Sequence, residues 1–366
     1  MEKDFGRRIM DIIRGRNLTR QEAKDMFEKV LHDEVNEIQQ GAFLAALVAK
    51  GETPEEIAGS WEAIYELDTV KVTPSVAPLV ENCGTGMDPL KTFNISTTAS
   101  VVGASCGVYM AKHGARAITS SCGAVDLLEA VGVDVECGVE TVKRSIERAG
   151  IGIFNGMSPE VHPQALFRIL SKIHFGTTLN IAGSLANPAK PEYGVRGVYS
   201  RDLIEPVLRV MREIGYRRAI VFHGLNHDGS RGMDEISTLG ETFIGELHED
   251  GELTYYTITP EDLGLERADE DTIRPFASRE EAALNFVRIL SGVEDGARED
   301  IVAANTAPIL YIMGKACDLR DGVLKAKEVI NSGKPVDKLR EWVSEQNRDP
   351  EVGRSRLEQV LRAANL

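Results

Sequence analysis

The 366 residues carry 57 Asp and Glu against 42 Lys and Arg, a net charge of −15 that disfavours non-specific binding to nucleic acid. A hydrophobic share of 42% with 27% charged residues is that of a soluble globular chain with room for two modest domains. No apolar run approaches the roughly 20 residues of a membrane span, and five cysteines (Cys83, Cys106, Cys122, Cys137, Cys317) without metal-ligand spacing suit a reduced cytoplasmic protein.

The chain opens on a charged amphipathic stretch, not a leader, and residues 1–70 read as a small helical bundle. Phe5, Ile9, Ile12 and Ile13 share a helical face. Thr19 through Glu22 form a capping-box pattern, 37–50 is a helix closed by Gly51, and Thr53-Pro54-Glu55-Glu56 opens the next. After Thr73-Pro74 the pattern changes. A short strand over 77–81 leads into Gly84-Thr85-Gly86-Met87-Asp88. Further elements follow at 107–111, Ile118, 126–131, 133–135 and 141–149. Such alternation predicts a largely parallel sheet flanked by helices, with ligands beyond the carboxyl ends of its strands.

A helix over 159–171 is followed by a linking loop over 180–189. Tyr199-Ser200-Arg201-Asp202 opens a helix through Ile214, and 218–223 is a buried strand. A long polar loop leads to Met233-Asp234-Glu235. Helices are expected at 261–263, 279–290, 301–314 and 322–331, with a helical tail beyond 336.

Three polar turns dominate the first half: Gly84–Asp88, Asn94-Ile95-Ser96-Thr97 and Lys112-His113-Gly114. Glycine allows backbone N–H groups to approach an anion, a helix N-terminus adds free N–H groups, and Lys112 adds charge. Each turn alone reads as an ordinary turn, cap or strand end. Together they predict a phosphate cradle on a scaffolded edge. Cys83 and Cys122 flank it, as reactive thiols or as small buried filler.

These segments, in order and spacing, resemble the anthranilate phosphoribosyltransferase family, whose pattern runs GTGGD, NIST and KHGN; here they read GTGMD, NIST and KHGA. The likeness continues through Asn187-Pro188-Ala189, Gly197-Val198-Tyr199-Ser200 and Gly232-Met233-Asp234-Glu235. It implies an α/β fold: a helical domain over 1–72, rejoined by 159–178, and a phosphoribosyl-binding domain over 73–158 and 179–366. It also implies a homodimer through the N-terminal helices and a magnesium-dependent transfer from phosphoribosyl pyrophosphate (PRPP) to an aromatic amine. By the same resemblance Gly84, Met87, Asp88, Thr92, Asn94, Ile95, Ser96, Thr97, Lys112 and Ser120 face the donor. Ser96, Asp234 and Glu235 hold Mg2+. Gly84, His113, Ala115, Arg168, Leu170, Gly183 and Ser184 lie on the acceptor side.

The departures gather on that acceptor side. Ala115 stands where the pattern has asparagine, and Ser184 where it has proline. Leu170 stands where counting places the arginine that holds the acceptor's carboxylate, with Arg168, Lys172 and His174 near enough to substitute. Met87 and Ala124 also depart, on the donor side. The resemblance therefore implies anthranilate or a different acceptor. A nucleoside phosphorylase is a sibling reading, and a non-catalytic nucleic-acid-binding relative, disfavoured by the charge of −15, is the alternative of another class.

Overall fold

The computed structural model describes residues 2–86, 88–117 and 122–366. The first four helices are α1 (Glu2–Ile13), α2 (Arg20–Leu31), α3 (Glu37–Lys50) and α4 (Pro54–Leu67). Thr19 and Thr53 each close a capping box on Glu22 and Glu56, which satisfies N–H groups that a helix start leaves open. Phe5, Phe27 and Phe43 meet at the bundle centre, with ring centroids 5.5 and 4.9 Å apart.

Next come β1 (Leu79–Gly84), α5 (Ile95–Ser105), β2 (Tyr109–Gly114), α6 (Ala124–Ala130), α7 (Val139–Ala149) and β3 (Ile151–Asn155). They are followed by α8 (Leu166–Ile173), α9 (Thr178–Leu185), β4 (Tyr193–Gly197), α10 (Ile204–Glu213), β5 (Arg218–Leu225) and β6 (Gly232–Met233). The chain ends in a hairpin, β7 (Thr242–Leu247) and β8 (Leu253–Ile258), and five helices: α11 (Arg279–Leu290), α12 (Ala297–Ile312), α13 (Leu319–Asn331), α14 (Lys334–Glu345) and α15 (Pro350–Ala363).

The sheet runs β3-β2-β1-β4-β5-β7-β8, with β6 beside β5. From β3 to β5 the strands are parallel, so β1, β2 and β4 end on one edge. Its two faces bury different partners, as strand alternation requires. Ile220 and Phe222 join the core under α5, α6 and the C-terminal helices, while Ala219 and Val221 join the core shared with the bundle, α8, α9 and α10.

Four local expectations need correction. The helix expected over 159–171 begins only at Leu166, because the Asp68 carboxylate takes the N–H groups of Gln164, Ala165 and Leu166 and sets the helix start there. The linking loop over 180–189 is helical through Leu185, because Thr177 begins the helix and the Asn180 side chain accepts the Thr177 N–H at 2.8 Å. The strand expected at 107–111 lies two residues later, at Tyr109–Gly114, since Gly107 turns with φ 79°. Residues 133–135 pair with no strand; the Val133 N–H instead closes the end of α6 on Leu128 O. Ile118, also expected in a strand, lies outside the described residues.

Candidate active site

The edge where β1 ends is built around two carboxylates that arrive from 150 residues downstream. Gly84 and Gly197 have no side chain because Asp234 occupies their space. A Cβ on Gly84 would stand 2.9 Å from Asp234 Cγ, and one on Gly197 would stand 3.0 Å from Asp234 Cα. Asp234 Oδ2 accepts the Gly86 N–H at 2.7 Å, so the carboxylate fixes the glycine turn, where Gly86 adopts φ 64°. Glu235 Oε1 accepts the Ser96 N–H at 3.2 Å, in the first turn of α5. Asn94 precedes that helix without capping it; its amide spans to Cys122 O at 3.1 Å.

Burial pushes the Asp234 carboxyl up to about 6, assisted by the neighbouring charge of Asp88, and raises Glu235 well above the usual carboxylate range, assisted by Asp234. Asp88 is raised by burial against the pull of Lys91, 3.3 Å away. Among the described residues no three His, Cys, Asp or Glu side chains form a ready-made metal cage. The donor set is nevertheless hard oxygen: adjacent buried carboxylates, one of them bonded to the backbone of Ser96. That suits Mg2+, which binds through one or two carboxylates and completes its shell with phosphate oxygens and water.

Ile95 and Thr97 are buried in the first turn of α5; Thr92 is half-buried just before it. Met87 and Ser120 lie outside the described residues. Lys112 differs from the expectation of a cation lining the loops. It is 2% exposed, and its ammonium donates to Asn82 O at 2.7 Å, which puts the charge beneath the cradle. Strand alternation explains this: Lys112 shares the α5-facing side with Met110, and His113 turns to the other side. The thiols are filler: burial raises Cys83, and raises Cys122 to about 11, far from thiolate reactivity.

The acceptor-side expectations divide. His113 Nδ1 meets the Ser184 carbonyl at 3.3 Å, its ring packs edge-on to His162 at 5.6 Å, and Gly183 is buried beside them, where a Cβ would press on Leu166. Ala115 is exposed just past β2. Arg168 is not available to a ligand. Its guanidinium is bound to Val30 O at 3.1 Å, Gln40 Oε1 at 3.3 Å and Asp33 Oδ1 at 3.3 Å, because α8 lies across the end of α2 and the start of α3. Lys172 pairs with Glu37, His174 is exposed with φ 52°, and Leu170 packs partly into the bundle-side core.

A polar network that none of the motifs marks lies beneath these loops. Glu81 is 2% exposed and accepts from Tyr216 Oη at 2.9 Å and Asn187 Nδ2 at 3.3 Å, with Arg196 at 3.6 Å. Its signal was visible: a glutamate inside the apolar run Leu79-Val80-Glu81, and an arginine inside Gly194-Val195-Arg196-Gly197. Asp126 is a second omission. Its Oδ2 accepts Ala117 N–H at 2.8 Å and Gly123 N–H at 3.1 Å, closing the base of the turn after β2, while Arg116 and Arg279 hold Oδ1.

This geometry has counterparts. Residues 76–336 match the α/β domain model of a glycosyl transferase family, and residues 8–67 match its helical bundle domain model. The anthranilate phosphoribosyltransferase of Haloarcula marismortui is 40% identical over 339 residues, spanning 92% of this chain and 98% of its own. That of Methanothermobacter marburgensis is 35% identical, spanning 91% and 96%. Among solved structures, the Thermus thermophilus enzyme superposes with a TM-score of 0.83 at 33% identity, covering 92% of this chain and 98% of its own. The Saccharomyces cerevisiae enzyme in complex with PRPP and Mg, at 23% identity and a TM-score of 0.77 over 90% and 93% of the two chains, shares the fold. With the glycine turn, the α5 N-terminus and the paired carboxylates gathered on one sheet edge, the chain belongs to the anthranilate phosphoribosyltransferase family and is a phosphoribosyltransferase.

Proposed function

We propose that this chain transfers the phosphoribosyl group of PRPP to the amine of anthranilate or a closely related aromatic acceptor, releasing pyrophosphate. The observation that carries the reading is the junction of Gly86 N–H to Asp234 and Ser96 N–H to Glu235, which joins the glycine turn, the α5 N-terminus and both carboxylates. The acceptor nitrogen forms a bond to C1 as the C1–oxygen bond to pyrophosphate breaks, with inversion, and the amine proton leaves to solvent or pyrophosphate.

Two demands follow: the leaving group's charge must be stabilised and the two substrates aligned. The glycine turn over Gly84–Gly86 and the α5 N-terminus over Asn94–Thr97 border the phosphates, with Asp88 and Thr92 beside them, and buried Lys112 adds a positive field from below. Ser96, Asp234 and Glu235 would hold Mg2+, which supplies charge neutralisation to the departing pyrophosphate. His113, Gly183 and Ser184 border the acceptor. The exposed apolar side chains Met10, Ile13, Ile38 and Val48 on α1 and α3 support dimerisation through these helices. The five cysteines, all free, support a reduced cytoplasmic setting.

A second reading keeps donor and reaction but changes the acceptor. It rests on Leu170 and on the engagement of Arg168 and Lys172 within the bundle, which leave an acceptor carboxylate without an arginine from α8. Competition between anthranilate and uncharged aromatic amines decides between them. Preference for anthranilate supports the first reading, and turnover confined to amines without a carboxylate supports the second.

A further inference from the structure

Arg196 is the buried charge that the transfer reaction leaves unexplained. It stands on β4 with 1% of its surface exposed, on the side of the sheet that faces α9. Nη1 donates to Ser184 Oγ at 2.9 Å, and Nη2 donates to the Ser184 carbonyl at 3.1 Å. The serine hydroxyl gives its own proton to Ile181 O at 2.8 Å, so a lone pair faces the guanidinium. A proline at this position, as in the family pattern, would offer Arg196 no hydroxyl. Behind the guanidinium, Glu81 balances the charge at 3.6 Å and is itself held by Tyr216 and Asn187.

The Ser184 carbonyl has a second visitor. His113 Nδ1 lies 3.3 Å from the same oxygen. A carbonyl oxygen only accepts, so this contact puts the proton on Nδ1 and leaves Nε2 with a lone pair. Nε2 is buried and has no hydrogen-bond partner among the described residues; it faces Gly156, where an added Cβ would come within 2.7 Å. An unpaired buried acceptor is costly to leave unmet, and it suits an incoming N–H donor.

We propose that Arg196 is a positioning residue for the acceptor: by clamping the Ser184 turn through both hydroxyl and carbonyl, it fixes His113, which borders the acceptor, in the Nδ1–H tautomer with the Nε2 lone pair unspent. The inference rests on the acceptor-side reading given above. It explains why a full positive charge is buried at the junction of sheet and bundle, and why the turn carries a serine.

The test combines kinetics with a direct view of the ring. Arg196→Met, Arg196→Lys and Ser184→Ala are compared with the unaltered protein by steady-state kinetics in each substrate, by thermal melting and by 15N NMR of the histidine side chains. Arg196→Met is expected to raise the KM for the acceptor about tenfold, leave that for PRPP within about twofold, and move His113 to a mixture of tautomers. Arg196→Lys recovers part of the loss, and Ser184→Ala, which keeps the carbonyl, shows a rise of about threefold. A folded Arg196→Met with unchanged acceptor KM and tautomer overturns the proposal. So does an equal rise in both KM values with a lowered melting temperature, which marks a purely structural role. If Arg196→Met does not fold, an unchanged acceptor KM in Ser184→Ala overturns it. Should the unaltered protein not use anthranilate, the proposed function fails on that point. The tautomer comparison then still decides the role of Arg196.

Discussion

Gly84→Ala tests whether the placement of Asp234 matters to the reaction. The added Cβ would stand 2.9 Å from Asp234 Cγ, against an ordinary carbon–carbon separation of about 3.5–4.0 Å. The carboxylate must therefore retreat by about 1 Å. Retreat also strips Gly86 N–H of its acceptor, so the glycine turn loosens along with it. A misplacement of about 1 Å in a reacting constellation costs on the order of 100-fold, or about 2.7 kcal/mol of transition-state stabilisation. We expect kcat/KM for PRPP to fall by about that factor and the magnesium concentration for half-maximal donor binding to rise, with a far-UV spectrum like that of the parent. Calorimetric titration of PRPP over a magnesium series, beside a pyrophosphate-release assay, measures both. A folded Gly84→Ala protein whose kcat/KM and magnesium requirement stay within about twofold would refute the reasoning.

Other expectations follow from single contacts. Asp126→Asn keeps the shape but removes the charge that holds Arg116 and Arg279; we expect a rise in KM for PRPP of about tenfold and little change for the acceptor, read from initial rates. Leu170→Arg returns a guanidinium to α8, and a tighter KM for anthranilate but not for an uncharged aniline would show that the missing carboxylate partner limits binding. Gln346→Leu orphans the Ile153 N–H and carbonyl, each bonded at 2.9 Å to the side chain, together with Trp342 Nε1–H at 2.8 Å; a loss of roughly 3 kcal/mol should appear in urea unfolding. Burial lowers both His113 and His162 to about 4, so on acidification below about 6.5 the unfolded chain takes up protons that the folded chain refuses, and stability falls toward pH 4. The full effect is roughly 3 kcal/mol for His113, and His162→Gln should flatten the fall between pH 7 and 5 in urea midpoints; an unchanged slope would contradict the assignment.

The elements that were legible share one property: their signals are local. Thr19 and Thr53 cap with their own Glu22 and Glu56, and the span 279–290 shows α11 with its Ser278 cap in plain view. The family motifs drew attention to Gly84, Ser96, Asp234 and Glu235, which the fold brings together. What escaped depends on contacts distant in sequence. Lys112 reads as an exposed strand-end cation until strand parity turns it under Asn82. Arg168 reads as a free guanidinium until α8 lies against Asp33 and Gln40. The hairpin of β7 and β8 carries no clear local signal, because in β8 Thr254 and Thr257 bracket the adjacent Tyr255 and Tyr256 without a two-residue alternation, on an edge strand half in solvent. Nor does any local pattern show that Gln346 reaches the open edge of β3 at Ile153, where its amide stands in for a neighbouring strand.

The most direct test of the whole account is pyrophosphate release from PRPP with and without magnesium and anthranilate, followed beside the loss of anthranilate fluorescence. The account predicts release that requires both magnesium and an aromatic amine, and that collapses when Asp234 and Glu235 are replaced by Asn and Gln. Absence of magnesium-dependent PRPP binding, together with no release for any aromatic amine, would contradict it.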